Sequence, residues 1–210
     1  MSPKKKKLNY KKEFPELYRP SRKTPRILDI PSMKFFMIDG QGDPNTSEEY
    51  AQALKALYKV SYTLKMKIVK KKAPDKDYVV PPLEGLWYMD DMNDWSMENK
   101  NEWQWTMMIR IPDYITNEQI DKAFELVKEA DEVPAIENVY LKHYDEGKSA
   151  QILHVGPYED EPPTIKKLHS FIEEQGYKLD GDHHEIYLSD PRRSKPQNLK
   201  TVIRQPISKQ

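Results

Sequence analysis

The sequence predicts an α+β fold made by a tandem βαββ duplication: a curved antiparallel sheet, or two short sheets, with helices on one face. Three observations carry this. First, Lys34–Gly40, an amphipathic run, Leu86–Met89 and Met107–Pro112 recur in type as Gln151–Pro157, a second amphipathic run, Glu185–Leu188 and Thr201–Pro206. Second, the 17 prolines stand mostly between these runs, where proline closes helices and is tolerated beside strands. Third, each amphipathic run repeats its apolar residues with the 3.6-residue period of a helix. Aligned on Tyr88 and Tyr187, the halves match except that Leu86 is answered by Glu185. A carboxylate in an apolar pattern marks a candidate site.

Taken in order, residues 1–24 read as a basic, proline-punctuated arm with Lys4–Lys7 and Lys11-Lys12, solvated and partly ordered, with a nucleic-acid contact as the alternative. Phe14, Leu17 and Tyr18 can tack it onto the surface of a domain spanning 25–210. The halves run from about 30 to 112 and from 148 to 206, bridged by 113–147. Residues 33–40 read as a buried strand ended by Gly40-Gln41-Gly42-Asp43-Pro44. Thr46 and Glu49 have capping-box spacing for a helix whose stripe is Tyr50, Ala53, Leu54, Leu57, Ser61, Leu64 and Ile68. Strands around 85–89 and 103–111 flank a polar loop, 90–100. Thr116 and Gln119 open a second helix with Ile120, Ala123, Phe124 and Val127 on its apolar face. Residues 139–144 and 149–155 read as a hairpin turning at Asp145-Glu146-Gly147-Lys148. Pro162-Pro163 start a third helix, striped by Ile165, Leu168, Phe171 and Ile172 and stopped at Gly176. The last two strands are 183–188 and 199–204. A duplicated unit of this kind has a pseudo-twofold axis, and the surface its helices leave uncovered forms a central ligand groove.

Composition narrows the function classes. At 210 residues the chain can bury a sizeable core. A formal net charge of zero argues against duplex DNA or an anionic membrane as a whole-surface partner. The absence of cysteine excludes disulfides and thiolate metal sites. No apolar run reaches membrane-spanning length or resembles a signal peptide, so a cytoplasmic location is expected. The 13 tyrosines and four tryptophans supply flat surfaces with polar edges, suited to cores and ligand pockets alike.

Five motifs in order, Met37–Pro44, Glu84–Trp87, Trp103–Pro112, His154–Tyr158 and His183–Pro191, resemble the GyrI-like small-molecule-binding proteins, most closely their stand-alone bacterial branch. The likeness runs from about Leu8 to Pro206. It implies the duplicated βαββ fold called SHS2-type, no cofactor, and one of two activities. Relatives are effector domains of drug-sensing regulators or gyrase-inhibitory proteins, and some stand-alone members hydrolyse the cyclopropane of DNA-alkylating natural products. The arm is too short for a helix-turn-helix, so direct nucleic-acid binding is not expected. Oligomeric state is not legible.

Strand alternation puts His183, Glu185 and Tyr187 on one face and His184, Ile186 and Leu188 on the other. The apolar set reads as the helix-covered core, which leaves Glu185 and Tyr187 in the groove with Leu86 and Tyr88 as counterparts. Trp103, Trp105 and Met107 share a face of the neighbouring strand. A carboxylate among such rings loses hydration and its pKa rises toward the range of a general base. On the hydrolase reading Glu185 holds or deprotonates water, Tyr187 or Tyr158 donates a hydrogen bond, and Trp103 and Trp105 sandwich a small aromatic or lipophilic ligand. On the binder reading the same cage attracts lipophilic cations. A plain edge ion pair at Glu185 is the structural alternative. Asp182-His183-His184-Glu185 does not make a metal site, because neighbouring strand residues point oppositely. His154 and His169 read as ordinary satisfied histidines, and Asp90, Asp91 and Asp94 as a solvated loop with some claim to a lid.

Overall fold

The computed structural model describes residues 7–89 and 99–210; Lys4–Lys6 and the acidic loop of Asp90, Asp91 and Asp94 lie outside them. Among the described residues, apolar alternation produces nine strands: β1 Arg26–Ile30, β2 Met33–Gln41, β3 Leu83–Tyr88, β4 Gln104–Arg110, β5 Tyr140–Tyr144, β6 Gly147–Val155, β7 Tyr177–Leu179, β8 His183–Tyr187 and β9 Lys200–Lys209. The helices are α1 Tyr10–Glu13, α2 Pro15–Tyr18, α3 Glu48–Thr63, α4 Lys70–Lys72, α5 Asn117–Lys128 and α6 Pro162–Glu174, and a π-helical stretch Leu64–Val69 joins α3 to α4.

The strands form one antiparallel sheet in the order β1-β6-β9-β8-β3-β4-β2-β5, with β7 added to β9. Each half is strand, helix, strand, strand: β2-α3-β3-β4, then β6-α6-β8-β9. In both, the last strand lies between the other two, and the halves join where β3 pairs with β8. The predicted duplication and its pseudo-twofold are therefore present.

α3 packs on β2 and β4, and α6 on β6 and β7. The helices share one face but sit over the outer strands of each half. The sheet centre, β3 and β8, lies open between them. Under α3 and α5 the core holds Phe36, Leu57, Val60, Trp105, Met107 and Ile109; under α6 it holds Ala150, Ile152, Leu168, Ile172 and Ile203. The opposite face buries Phe35, Met37, Leu86, Met108, Ile186 and Val202 beneath Tyr10, Leu17 and Tyr18 of the arm.

This corrects the assignment of faces. His184, Ile186 and Leu188 lie on the arm's side, and the groove opens on the helix-bearing side. The apolar alternation was right, but periodicity does not say which layer covers which face. The predicted hairpin of 139–155 is also absent: β5 pairs with β2, and β6 with β1 and β9. The sheet curls into a half-barrel, so Asp145 and Glu146 suffice to cross from β5 to β6. Gly147 does take a positive φ of 67° there. At α3 the cap is Ser47, which accepts from the Tyr50 amide, rather than Thr46. The box of Thr116 and Gln119 on α5 forms as read. β1 and β7 were not foreseen.

Candidate functional site

The open centre of the sheet is the floor of a cleft of about 2020 Å³ between α3 and α6. In an antiparallel pair, residues directly opposite share a face. The register sets Leu83 opposite Tyr187, Gly85 opposite Glu185 and Trp87 opposite His183. All three β8 side chains expected to face the ligand therefore do face the cleft. Gly85, opposite Glu185, carries no side chain because Met107 and Trp87 close over that position. A Cβ there would stand 3.0 Å from Met107 Sδ and 3.1 Å from Trp87 Nε1.

Glu185 is held from three sides. Tyr187 Oη donates to its Oε2 at 2.7 Å and His183 Nε2 lies 3.1 Å from its Oε1, necessarily as donor because an ionised carboxylate only accepts. Trp87 Nε1 in turn donates to Tyr187 Oη at 2.9 Å, aligning that hydroxyl toward the carboxylate. The third contact is Glu161, the residue before α6, which hydrogen-bonds to Glu185 and reaches Thr201 on β9. Glu161 is buried, at 4 % exposure. Its position comes from the turn below it. His154 spans Thr164 Oγ1 at 3.0 Å and the Pro157 carbonyl at 3.2 Å, which fastens the strand end to the first turn of α6.

The electrostatics differ from expectation. Burial would raise the Glu185 pKa, but hydrogen bonds from His183, Tyr187 and Glu161 and the pull of His183 hold it below its ordinary value. Glu161 takes the rise instead. Its own burial, then the Glu185 charge and the hydrogen bond to it, push it up to about 10. Two touching carboxyls oppose each other's ionisation. Tyr187 is driven well above 10 by burial and the Glu185 charge, and Tyr158 to about 12 by burial, Glu185 and Glu161. Both phenols stay protonated, and Tyr187 donates to Glu185.

Aromatic rings wall the cleft. Trp87 packs beside Tyr50 at 6.2 Å, 30° from parallel, and meets Trp103 edge-on at 5.7 Å. Tyr158 stands edge-on to Tyr187 at 5.8 Å and is 36 % exposed, so it reaches the mouth. Of the expected ligand residues, Trp103 and His183 line the cleft, as do Tyr158, Glu185 and Tyr187. Trp105 and Met107 lie on the right face but are fully buried below the wall; Tyr50 covers Trp105 edge-on at 5.2 Å. Leu86 and Tyr88 point to the opposite face, Leu86 into the core under the arm. The alignment on Tyr88 and Tyr187 was one residue out, and with period-two alternation one residue exchanges faces. In the repeat, Gly85 and Trp87 are the equivalents of Glu185 and Tyr187.

His184, behind Glu185, bridges Glu146 at 2.8 Å and Glu84 at 3.1 Å on the far side of the sheet. His169 lines the cleft with its Nε2 buried and unpartnered. Among the described residues no three histidines or acids are arranged to hold a metal ion, and no helix is long and apolar enough to cross a membrane. Glu161, Trp87 and Gly85 were missed in the sequence. Glu161 sits in the acidic run Glu159-Asp160-Glu161 before Pro162, where only helix geometry tells which acid turns inward.

The sequence profile of the GyrI-like small molecule binding domain matches residues 23–208. An uncharacterized conserved protein from Listeria innocua is 39% identical, with 96% of this chain and 100% of that one aligned at a TM-score of 0.89. A hydrolase encoded by lin2189 from Listeria innocua is 38% identical over 97% of this chain and 100% of its own, TM-score 0.86. The EcmrR C-terminal domain shares the fold at 13% identity, covering 89% of this chain and 98% of that one, TM-score 0.56. No curated protein matches the sequence.

Proposed function

This chain belongs to the GyrI-like small-molecule-binding family, and on that premise we propose that it hydrolyses the cyclopropane ring of DNA-alkylating cyclopropanoid compounds, protecting the cell from them. The observation that carries the reading is an ionised, water-poor carboxylate, Glu185, aimed into an aromatic cleft. The hydrolase from Listeria innocua at 38% identity supports hydrolytic chemistry in a chain of this kind.

A flat conjugated ligand rests against the wall of Trp87, Trp103 and Tyr50, with its strained ring over Glu185. Water between Glu185 and the ring methylene attacks that carbon. The new C–O bond forms as the ring C–C bond breaks, and the bonding pair passes into the conjugated carbonyl. The proton lost by water goes to Glu185. The oxygen that gains charge takes a hydrogen bond and then a proton from the mouth of the cleft, where Tyr158 stands. Holding water and ligand together supplies much of the acceleration, and the positioned base about 10²–10⁴-fold more.

A spirocyclopropane alkylator should give ring-opened product over many turnovers. Glu185→Gln should bind the alkylator with unchanged affinity and lose turnover by about 10²–10⁴-fold; undiminished hydrolysis by that variant overturns the assignment. A second reading draws on the same anion within its ring of Tyr50, Trp87, Trp103 and Tyr158, a cage that attracts lipophilic cations. Submicromolar binding of several such cations, with only stoichiometric protection of the alkylator, would favour that reading.

A further inference from the structure

Glu161 is a second carboxyl buried against the first, and the reaction above leaves it without a task. Its Oε1 is sealed from solvent, and the side chains beside its carboxyl are the Thr201 hydroxyl and Glu185, neither of them a cation. Were Glu161 ionised, an unpaired buried charge would touch another of the same sign, an arrangement proteins avoid by protonation. The titratable groups facing the pair are His183 and Tyr187 from β8, Tyr158 and Glu159 from the turn before α6, and Tyr50 from α3. Only His183 among them can carry positive charge, so no fixed cation neutralises a second carboxylate.

We propose that Glu161 is a positioning residue that keeps the single proton of a Glu161–Glu185 pair and donates it to Glu185, so that Glu185 alone is the anion facing the cleft. The role rests on the hydrolytic reading of Glu185, but the protonation itself does not. The hydrogen bond from Glu161 fixes one side of the Glu185 carboxylate as Tyr187 and His183 fix the rest, leaving its free lone pair toward the cleft for water. As Glu185 takes the water proton, the pair momentarily holds two protons, and one leaves to solvent to restore the resting state. Glu161 neither bonds to the ligand nor is consumed. Its upward shift to about 10 agrees with this arrangement and places loss of the shared proton on the alkaline side.

Infrared spectra of wild type and Glu161→Gln test the protonation without any substrate. The C=O stretch of a protonated carboxyl should be present in the wild type near neutral pH and missing from Glu161→Gln. Its absence from the wild type, or its persistence unchanged in the variant, overturns the proposal. Turnover tests the role. Glu161→Gln retains a donating amide and should keep activity to within about tenfold of wild type, whereas Glu161→Ala should lose about 10²-fold. The wild type should also lose activity at alkaline pH as Glu161 ionises, while Glu161→Gln stays flat there. A glutamine variant as impaired as the alanine variant, or sharing the wild-type alkaline limb, refutes the positioning role. Absence of turnover in the wild type would fail the hydrolytic reading, with the infrared result still deciding the protonation.

Discussion

Trp87 acts on Glu185 through one hydrogen atom. Its indole N–H fixes Tyr187 Oη at 2.9 Å, and that hydroxyl points at the carboxylate from 2.7 Å. Trp87→Phe keeps a ring in the wall but frees the tyrosine to rotate. A neutral hydrogen bond contributes about 0.5–1.5 kcal/mol, so steady-state turnover should fall by up to roughly tenfold. Thermal melting should move little, since the ring still fills its place. Equal loss in Trp87→Phe and Glu185→Gln would show that Trp87 does more than aim Tyr187. Residues of this kind divide sharply in how readable they are. Glu185 stood out because a charge broke an apolar pattern. Trp87 and Gly85 did not, because a one-residue slip in the internal alignment turned their neighbours Leu86 and Tyr88 toward the ligand. Glu161 had no pattern to break.

β8 joins the two faces of the molecule, with the catalytic candidates on one side and a buried ion network on the other. His184 lies between Glu146 and Glu84, and Arg204 adds a bond to Glu146 Oε2 at 3.0 Å and two to Gln151. Burial opposes the charge on His184, but the two carboxylates prevail and raise its pKa to about 9, while His184 and Arg204 bring Glu146 to about 2 against the pull of its own burial. The histidine's folded pKa exceeds its ordinary 6.5, so its stabilisation is complete below about 6.5 and is lost as pH rises through about 9. Glu146 works in the other sense: its share is complete above 4.5 and is lost as pH falls toward about 2. Denaturant unfolding should therefore show greatest stability between those limits. His184→Leu breaks two buried ion pairs at once, leaving Glu146 to Arg204 and Glu84 to the Tyr18 hydroxyl, which should lower stability by about 3–5 kcal/mol and erase the alkaline limb. A surviving limb between 6.5 and 9 in that variant would place its origin elsewhere. Nothing in the sequence disclosed this network, since Glu84, Glu146, His184 and Arg204 are far apart in the chain and meet only through strand register. Elements with local signals were readable: α5 has its Thr116–Gln119 box, and α6 its Pro162-Pro163 start and Gly176 stop.

At the scale of the whole molecule, duplication explains why a cleft exists at all. Each half places its helix over its outer strands, so joining halves through β3 and β8 leaves the inner strands bare on one side. The opposite side has no helices from the repeat, and the arm fills that vacancy. The repeat was legible because both copies keep the same apolar order. The arm read as solvated because its lysines dominate the composition; its apolar residues, which pack on the sheet, were the only sign of its role. Tyr10, Leu17 and Tyr18 are each at most 4 % exposed, and Tyr18 Oη and the Leu17 and Glu16 carbonyls bond to Glu84, Arg204 and Gln151. Burying a large apolar side chain contributes about 1.5–3 kcal/mol, so these three together approach the 5–15 kcal/mol that holds a typical domain folded. Removing residues 1–18 would also expose the ion network to water. That chain should melt far below the full-length protein, or fail to fold, as followed by circular dichroism. A solvated tail of equal charge would leave the melt unchanged, and an unchanged melt would show that the repeat closes its second face without the arm.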